Sequence, residues 1–143
     1  MAFDLNSISR TKRLEAPKVL LAGEPKIGKS TFAAMAPNSV GILTEDGMSG
    51  IDANAFPLAQ SLDDIYAAIG TLLTEDHPFE NVFLDSLDWA EPLVHAYVCK
   101  ANGWKDIETP GFGKGYVAAA AEWKNLLDGL EELRRKQIGR AHV

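Results

Sequence analysis

Hydrophobic and polar residues are grouped along the chain in blocks that predict alternating strands and helices. Short apolar runs that stop at glycine or aspartate are typical of buried strands, and apolar residues at every third or fourth position predict amphipathic helices. Strands are predicted at residues 18–23 (KVLLAG), 39–47 (SVGILTEDG) and 81–87 (NVFLDSL). Helices are predicted at residues 28–36, 61–76, 88–102 and 116–137.

Several helix boundaries and faces can also be predicted. Ser61 is an expected N-cap, Gly103 is expected to end the third helix, and Pro92 is tolerable only in the first turn of that helix. The second helix should bury a face formed by Leu62, Ile65, Ile69, Leu72 and Leu73. The last helix should bury a face formed by Tyr116, Ala120, Trp123, Leu127, Leu130 and Leu133.

The order of these elements indicates an α/β fold. Strands that alternate with helices form mainly parallel sheets with helices on their faces, which gives three layers. A chain of 143 residues with 46% hydrophobic residues is long enough for one such domain. We expect residues 1–16 to be a polar arm and residues 17–137 to be the folded core.

The distribution of charge restricts the possible partners. The net charge is −6, and no lysine or arginine lies between Lys29 and Lys100. Any contact with nucleic acid would therefore use the two ends of the chain or a partner subunit. Cys99 is the only cysteine, which excludes a disulfide framework and a thiol metal cluster. No apolar run is long enough to span a membrane, so we expect a cytoplasmic protein with no membrane partner.

Residues 23–30 match G-x-x-x-x-G-K-[ST], the pattern of a phosphate-binding P-loop. A strand is predicted before the motif and a helix after it, as the motif requires. Glycine lets the backbone curl so that successive N–H groups face phosphate oxygens. We expect ATP to contact Gly23, Glu24, Pro25, Lys26, Ile27, Gly28, Lys29, Ser30 and Thr31, with Lys29 on the β- and γ-phosphates and the Ser30 hydroxyl on Mg²⁺. The alternative is a glycine turn with an exposed lysine.

Asp85 ends the apolar run VFLD and is the expected second ligand of Mg²⁺. An aspartate in that position could instead cap the following helix. ATP hydrolysis also needs a group that orients or deprotonates water. Ser86 stands where many ATPases have a glutamate, so the group must come from elsewhere. Glu45, after the second strand, is the favoured candidate, with Asp46 and Asp88 as weaker ones and a solvated acid as the alternative.

A second glycine-rich stretch, GFGKGY at residues 111–116, is not another P-loop, because no strand precedes it and no serine or threonine follows its lysine. It is either a plain linker or a mobile loop that carries Lys114 toward a neighbouring subunit, nucleotide or nucleic acid.

The stretches GEPKIGKST, ILTED and VFLDSLDWAEPLVHAYVCKANG together resemble phage-encoded RecA-like ATP-binding proteins. The similarity extends from Pro17 to Gln137 and is greatest to the Sak-four type of single-strand annealing proteins, catalogued as an AAA-type ATP-binding domain. It implies a RecA-like P-loop NTPase, a phage or prophage source in a bacterial host, homo-oligomers and single-stranded DNA as partner. It also implies that Glu45 is catalytic and that serine follows the metal-binding aspartate, as Ser86 does here.

The end of the chain departs from that family. Members continue into a further strand, which lies between the strand before the P-loop and the strand that ends at the metal-binding aspartate. Residues 138–143 (IGRAHV) instead match translated sequencing-adaptor DNA, so we expect this tail to be non-native and the sheet to be incomplete at its C-terminus. The alternative is a genuine short tail. The two strands would then have unpaired edges or pair with each other.

Three functions remain open. The favoured one is a Mg²⁺-dependent ATPase of phage recombination and single-strand annealing, active in the full-length parent. The second is a nucleotide-gated binding module without appreciable turnover, because no arginine finger is evident. The third is a small-molecule kinase, which is disfavoured because no arginine lies between Arg13 and Arg134. A GTPase is disfavoured by the absence of N-K-x-D.

Overall fold

The structure is a computed structural model that describes residues 3–10 and 16–141, with side chains in the last helix described through residue 136. The described residues form three strands: β1 (Ser39–Leu43), β2 (Asn54–Ala55) and β3 (Asn81–Asp85). They also form four α-helices: α1 (Lys29–Ala34), α2 (Leu62–Thr74), α3 (Leu87–Asn102) and α4 (Lys114–Ala141). A single 3-10 turn covers Leu5–Ser7.

The three strands form one parallel sheet in the order β2-β1-β3. Five residues of β1 pair in register with β3, from Ser39 beside Asn81 to Leu43 beside Asp85. Both strands therefore end at the same edge. Gly41 lies in the middle of β1, where an added Cβ would come within 2.5 Å of the Phe83 ring. The parallel sheet with flanking helices confirms the predicted α/β fold class.

The predicted strand at residues 18–23 is wrong. These residues form no strand, and Val19 and Leu20 are 67% and 78% exposed. The physical reason is that a strand needs a neighbour for its backbone hydrogen bonds. Among the described residues, β3 pairs with β1 on one side and with no strand on the other side. Residues 18–23 therefore form no backbone ladder with the outer edge of β3.

The predicted helix caps at Ser61 and Gly103 agree with the structure, whereas the predicted position of Pro92 does not. The Ser61 side chain accepts a hydrogen bond from Asp64 N at 3.3 Å, and Gly103 ends α3 in the left-handed conformation with φ 71°. Both predicted caps are confirmed. Pro92 lies in the second turn of α3 rather than the first, and the helix continues through it. The predicted non-native tail at residues 138–143 stays a prediction, and residues 142 and 143 lie outside the described part of the chain.

The core lies between one face of the sheet and the three longer helices. From the sheet, Val40 and Ile42 are buried, with Val82 and Leu84 packed against them. The largest fully buried side chains are Ile42, Leu62, Ile65, Leu72, Val94 and Leu126. On α2, the predicted face is therefore the buried one, with Leu73 only half-buried.

The predicted buried face of α4 is wrong in part. Ala119, Leu126 and Leu133 are buried, whereas Leu127 is 53% exposed and Tyr116 lies largely on the surface. Apolar spacing did not distinguish Leu126 from Leu127. The contact with α2 does so, because Gly129 lies against Ile69 and lets the two helices approach closely.

Polar contacts fix α4 against α2. Lys136 Nζ donates to the carbonyl oxygens of Leu72 and Leu73 at 2.7 and 2.9 Å, which satisfies two acceptors at the C-terminus of α2. Nearer the start of α4, the Tyr66 hydroxyl donates to the Glu122 carboxylate. Burial and this hydrogen bond raise the pKa of Tyr66, so the phenol keeps its proton.

The segment that precedes the P-loop is tied to α4. Arg134 Nη1 donates to the carbonyl oxygen of Ala16 at 3.2 Å, and Lys18 Nζ lies 3.0 Å from a Glu131 carboxylate oxygen. Hydrogen bonds from Arg134 and Lys18 lower the pKa of Glu131 to about 2. The chain therefore enters the P-loop from an attachment on α4 rather than from a strand of the sheet.

The orientation of α4 gives a direct stability prediction. Leu126→Ala removes a side chain with 0% exposure and should lower the free energy of unfolding by about 2–5 kcal/mol. The adjacent Leu127→Ala is the matched control and should cost less than about 1 kcal/mol. Urea unfolding followed by circular dichroism measures both values. Equal losses would contradict the orientation of α4 described here.

Candidate functional site

The loop from Gly23 to Ser30 leads directly into α1. Gly28 is the N-cap of this helix in the left-handed conformation, with φ 106°, and its carbonyl accepts the first helical hydrogen bond from Phe32 N at 2.9 Å. Lys26 also has positive φ, which is uncommon for a residue with a side chain. The helix begins at Lys29 and ends at Ala34, within the predicted range of residues 28–36. Residues 21–28 are exposed, whereas Lys29 and Ser30 are half-buried.

Lys29 folds back over its own loop. Its Nζ donates to the carbonyl oxygen of Gly23, and the Glu24 carbonyl oxygen lies 3.4 Å away. The ammonium group therefore lies against the first two residues of the loop. The Lys29 side chain thus connects the end of the P-loop motif to its first two residues, Gly23 and Glu24.

Ser30 and Asp85 join the loop to the sheet. Ser30 Oγ donates to Asp85 Oδ2 at 2.5 Å, across 55 positions of sequence. Asp85 is the last residue of β3, so its carboxylate lies at the edge where β1 and β3 end. The two side chains predicted from the sequence to share one ion are in direct contact.

Glu45 lies at the same edge, two positions after the end of β1. Glu45 is half-buried, and Ser86 Oγ donates to its Oε2 at 3.3 Å. Ser86 follows Asp85 directly in sequence. Glu45 is therefore hydrogen-bonded to the residue next to the aspartate that contacts Ser30. Asp46 and Asp88, the weaker candidates, are both exposed. Of the three candidate acids, Glu45 is therefore the one that is half-buried and hydrogen-bonded to Ser86.

Thr44 is a site residue that the sequence reasoning missed. Its side chain is buried, accepts a hydrogen bond from Ser86 N at 2.8 Å and donates to Ser86 O at 2.7 Å. The Asp85–Ser86 peptide bond is cis. The sequence signal that could have identified Thr44 is its position as a polar residue at the end of an apolar strand and next to a candidate catalytic acid.

The donor atoms at this edge fit a magnesium ion that is shared with phosphate. Ser30 and Asp85 supply hard oxygen atoms, the type of ligand that Mg²⁺ takes. Among the described residues, no three His, Cys, Asp or Glu side chains form a cluster that could hold a metal. Mg²⁺ usually combines one or two protein ligands with water and substrate phosphates, and that coordination suits the pair seen here.

A parallel α/β sheet, a P-loop and an adjacent serine–aspartate pair define the class of P-loop nucleotide-binding domains. A family model described as an AAA domain matches residues 15–143. The chain therefore belongs to this AAA-domain family and is an AAA-type P-loop ATPase domain. Comparisons with curated proteins and with solved structures found no significant match. Within the described residues, no helix is both long and apolar enough to cross a membrane.

The clamp between Thr44 and Ser86 can be tested through stability. Thr44→Val keeps the shape of the side chain but leaves the Ser86 N–H and carbonyl without the threonine hydroxyl. The free energy of unfolding should fall by about 1–3 kcal/mol. Thr44→Ser retains the hydroxyl and should recover most of that loss. Chemical denaturation compares the three proteins, and a fully stable valine variant would contradict the clamp.

Proposed function

We propose that the chain binds ATP with Mg²⁺ at residues 23–31 and hydrolyses it to ADP and phosphate. The observation that carries this proposal is the contact between Ser30 and Asp85, which joins the P-loop to the end of β3. An isolated glycine turn would not need a partner on the sheet. The AAA-domain family supports nucleotide binding at this loop.

The binding role falls to the P-loop backbone and Lys29. The N–H groups of residues 23–31 would donate to phosphate oxygens, and the left-handed Gly28 allows the turn into α1. Lys29 would exchange the Gly23 carbonyl for the β- and γ-phosphates. The cation that contacts the first residue of the loop would thus also hold the nucleotide.

Ser30 and Asp85 would hold the metal together with the phosphates. Bound Mg²⁺ would neutralise charge on the β- and γ-phosphates during transfer. The serine hydroxyl would then give up its hydrogen bond to Asp85 and direct its oxygen to the ion. Asp85 would contribute a carboxylate oxygen from the end of β3.

Glu45 would serve as the general base. It would accept a proton from a water molecule as the water oxygen forms a bond to the γ-phosphorus. The bond from that phosphorus to the β–γ bridging oxygen breaks, and its electron pair leaves with ADP. Glu45 lies in the same hydrogen-bonded group as Asp85, through Ser86. No other candidate acid shares that position, since Asp46 and Asp88 are exposed.

The wider role is proposed to be phage recombination by single-strand annealing, with assembly of several copies on single-stranded DNA. The sequence resemblance supports this role. A further support is Phe112, which is fully exposed in a loop between Gly111 and Gly113, both of which have positive φ. Lys105 and Lys114, in the flanking sequence, are also exposed. Aromatic side chains beside cations are typical of contacts with single-stranded nucleic acid.

A nucleotide-gated module without turnover is the second candidate. Phosphoryl-transfer sites often use an arginine to stabilise the transition state. Arg134 is engaged with Glu131 and the Ala16 carbonyl, and no arginine occurs between Arg13 and Arg134. A switch that binds ATP and releases it unchanged would have the same P-loop and metal pair. Turnover separates the two candidates.

Replacement of Lys29 tests nucleotide binding. Lys29→Ala should weaken the binding of Mg²⁺–ATP at least about tenfold, because the phosphates lose their charge-assisted hydrogen bonds. Lys105→Ala removes an exposed lysine outside the loop and serves as the control, with affinity expected within about twofold of wild type. Isothermal titration measures both. If Lys29→Ala binds as tightly as the control, the P-loop is not the binding site.

Replacement of Glu45 tests hydrolysis. Glu45→Gln keeps the size of the side chain but cannot accept a proton, so kcat for ATP hydrolysis should fall about 10²-fold or more. The dissociation constant for Mg²⁺–ATP should stay within about threefold. Steady-state phosphate release and titration give the two values. Unchanged kcat would remove Glu45 from the mechanism, and no turnover by the wild-type chain would favour the nucleotide-gated module.

A further inference from the structure

The hydroxyl of Ser86 has an unexpected partner. Ser86 is the N-cap residue of α3, a position where serine normally accepts a hydrogen bond from an N–H of the first turn. Its side chain makes no such capping bond. The hydroxyl instead donates to Glu45 Oε2 at 3.3 Å. The Ser86 side chain thus contacts the candidate base Glu45 instead of capping α3.

The backbone of Ser86 is fixed from β1. Thr44 Oγ1 accepts from Ser86 N and donates to Ser86 O, so the single hydroxyl proton of this threonine is already used. Thr44 N also donates to the Asp85 carbonyl at 2.9 Å, which extends the β1–β3 ladder by one bond. Thr44 is 8% exposed, so water competes weakly for these bonds. Ser86 therefore has little freedom to move relative to Glu45.

The carboxylate of Glu45 is held on one side only. Oε2 accepts from Ser86, whereas Oε1 has no hydrogen-bond partner among the side chains and backbone of residues 3–10 and 16–136. A base that acts on water needs one oxygen anchored and the other available. Asp85, which directly precedes Ser86, contacts Ser30, so the serine that anchors the base is next in sequence to a proposed metal ligand.

We propose that Ser86 is a positioning residue for ATP hydrolysis. Its hydroxyl, on a backbone clamped by Thr44, orients Glu45 so that the free carboxylate oxygen meets the attacking water. This inference rests on the proposed role of Glu45. It assigns to Ser86 a function that a helix cap would not have, because the serine acts through the glutamate and touches neither nucleotide nor metal.

The test compares kcat and KM for ATP hydrolysis by the 143-residue chain and its variants. Ser86→Ala should lower kcat about tenfold, with KM and the dissociation constant for Mg²⁺–ATP within about twofold, because only the orientation of the base is lost. Ser86→Thr keeps a hydroxyl and should recover kcat to within about threefold of wild type.

The double variant Ser86→Ala with Glu45→Gln decides whether the serine acts through the glutamate. Its kcat should match that of Glu45→Gln alone within about twofold, since residues that act as one unit are not additive. A further tenfold fall would overturn the inference, as would an unchanged kcat in Ser86→Ala. Should Ser86→Ala lose the wild-type circular dichroism spectrum, Ser86→Cys replaces it, and a wild-type kcat with this weak donor overturns the inference.

The wild-type chain separates this inference from the function on which it rests. Turnover by wild type with no effect of Ser86→Ala overturns the inference alone. No turnover by wild type, with binding of Mg²⁺–ATP that still depends on Lys29, overturns both the inference and the proposed hydrolysis but leaves nucleotide binding intact. Loss of Lys29-dependent binding as well removes the proposed function entirely.

Discussion

The hydrogen bond from Ser30 Oγ to Asp85 Oδ2 is the interaction on which the site depends. The residues before the P-loop do not belong to the sheet, so the usual backbone ladder does not fix the position of the loop. Apart from the packing of α1 on β1 and β3, this side-chain contact is what aligns the loop with the carboxyl edge of the strands. The same two oxygens are also the proposed metal ligands, so one pair of residues would both align the loop and bind the ion.

The rest of the fold supports that edge from two directions. The in-register pairing of β1 with β3 brings Thr44 and Glu45 beside Asp85 and Ser86, although the two pairs are about forty positions apart in sequence. From the other side, α4 packs across α2 and α3 and holds residues 16 and 18 through Arg134 and Glu131. The P-loop is thus attached at its start to a helix and at its end to the sheet.

Local signals in the sequence were sufficient for much of this arrangement. The P-loop pattern, the caps at Ser61 and Gly103 and the carboxylate at the end of β3 depend on a few adjacent residues, and the structure has each where the sequence indicated. Pairing between distant segments was not predictable in the same way. Residues 18–23 have the composition of a buried strand, yet strand formation requires a neighbour that composition does not reveal. Leu126 and Leu127 are equally apolar, and only the contact at Gly129 decides which is buried. Thr44 carries no motif, and its contacts with Ser86 arise from the register of two strands.

The central claim is that the phosphates and one divalent ion are bound jointly by the P-loop and Asp85. Titration of ATP into wild type and Asp85→Asn, each with Mg²⁺ and with a chelator, tests it most directly. Removal of Mg²⁺ should weaken ATP binding to wild type at least about tenfold, because the ion and the bridge that it forms between protein and phosphates are lost together. Removal of Mg²⁺ should have little effect on ATP binding to Asp85→Asn. Equal affinity of wild type with and without Mg²⁺, or an undiminished metal effect in Asp85→Asn, would contradict this claim.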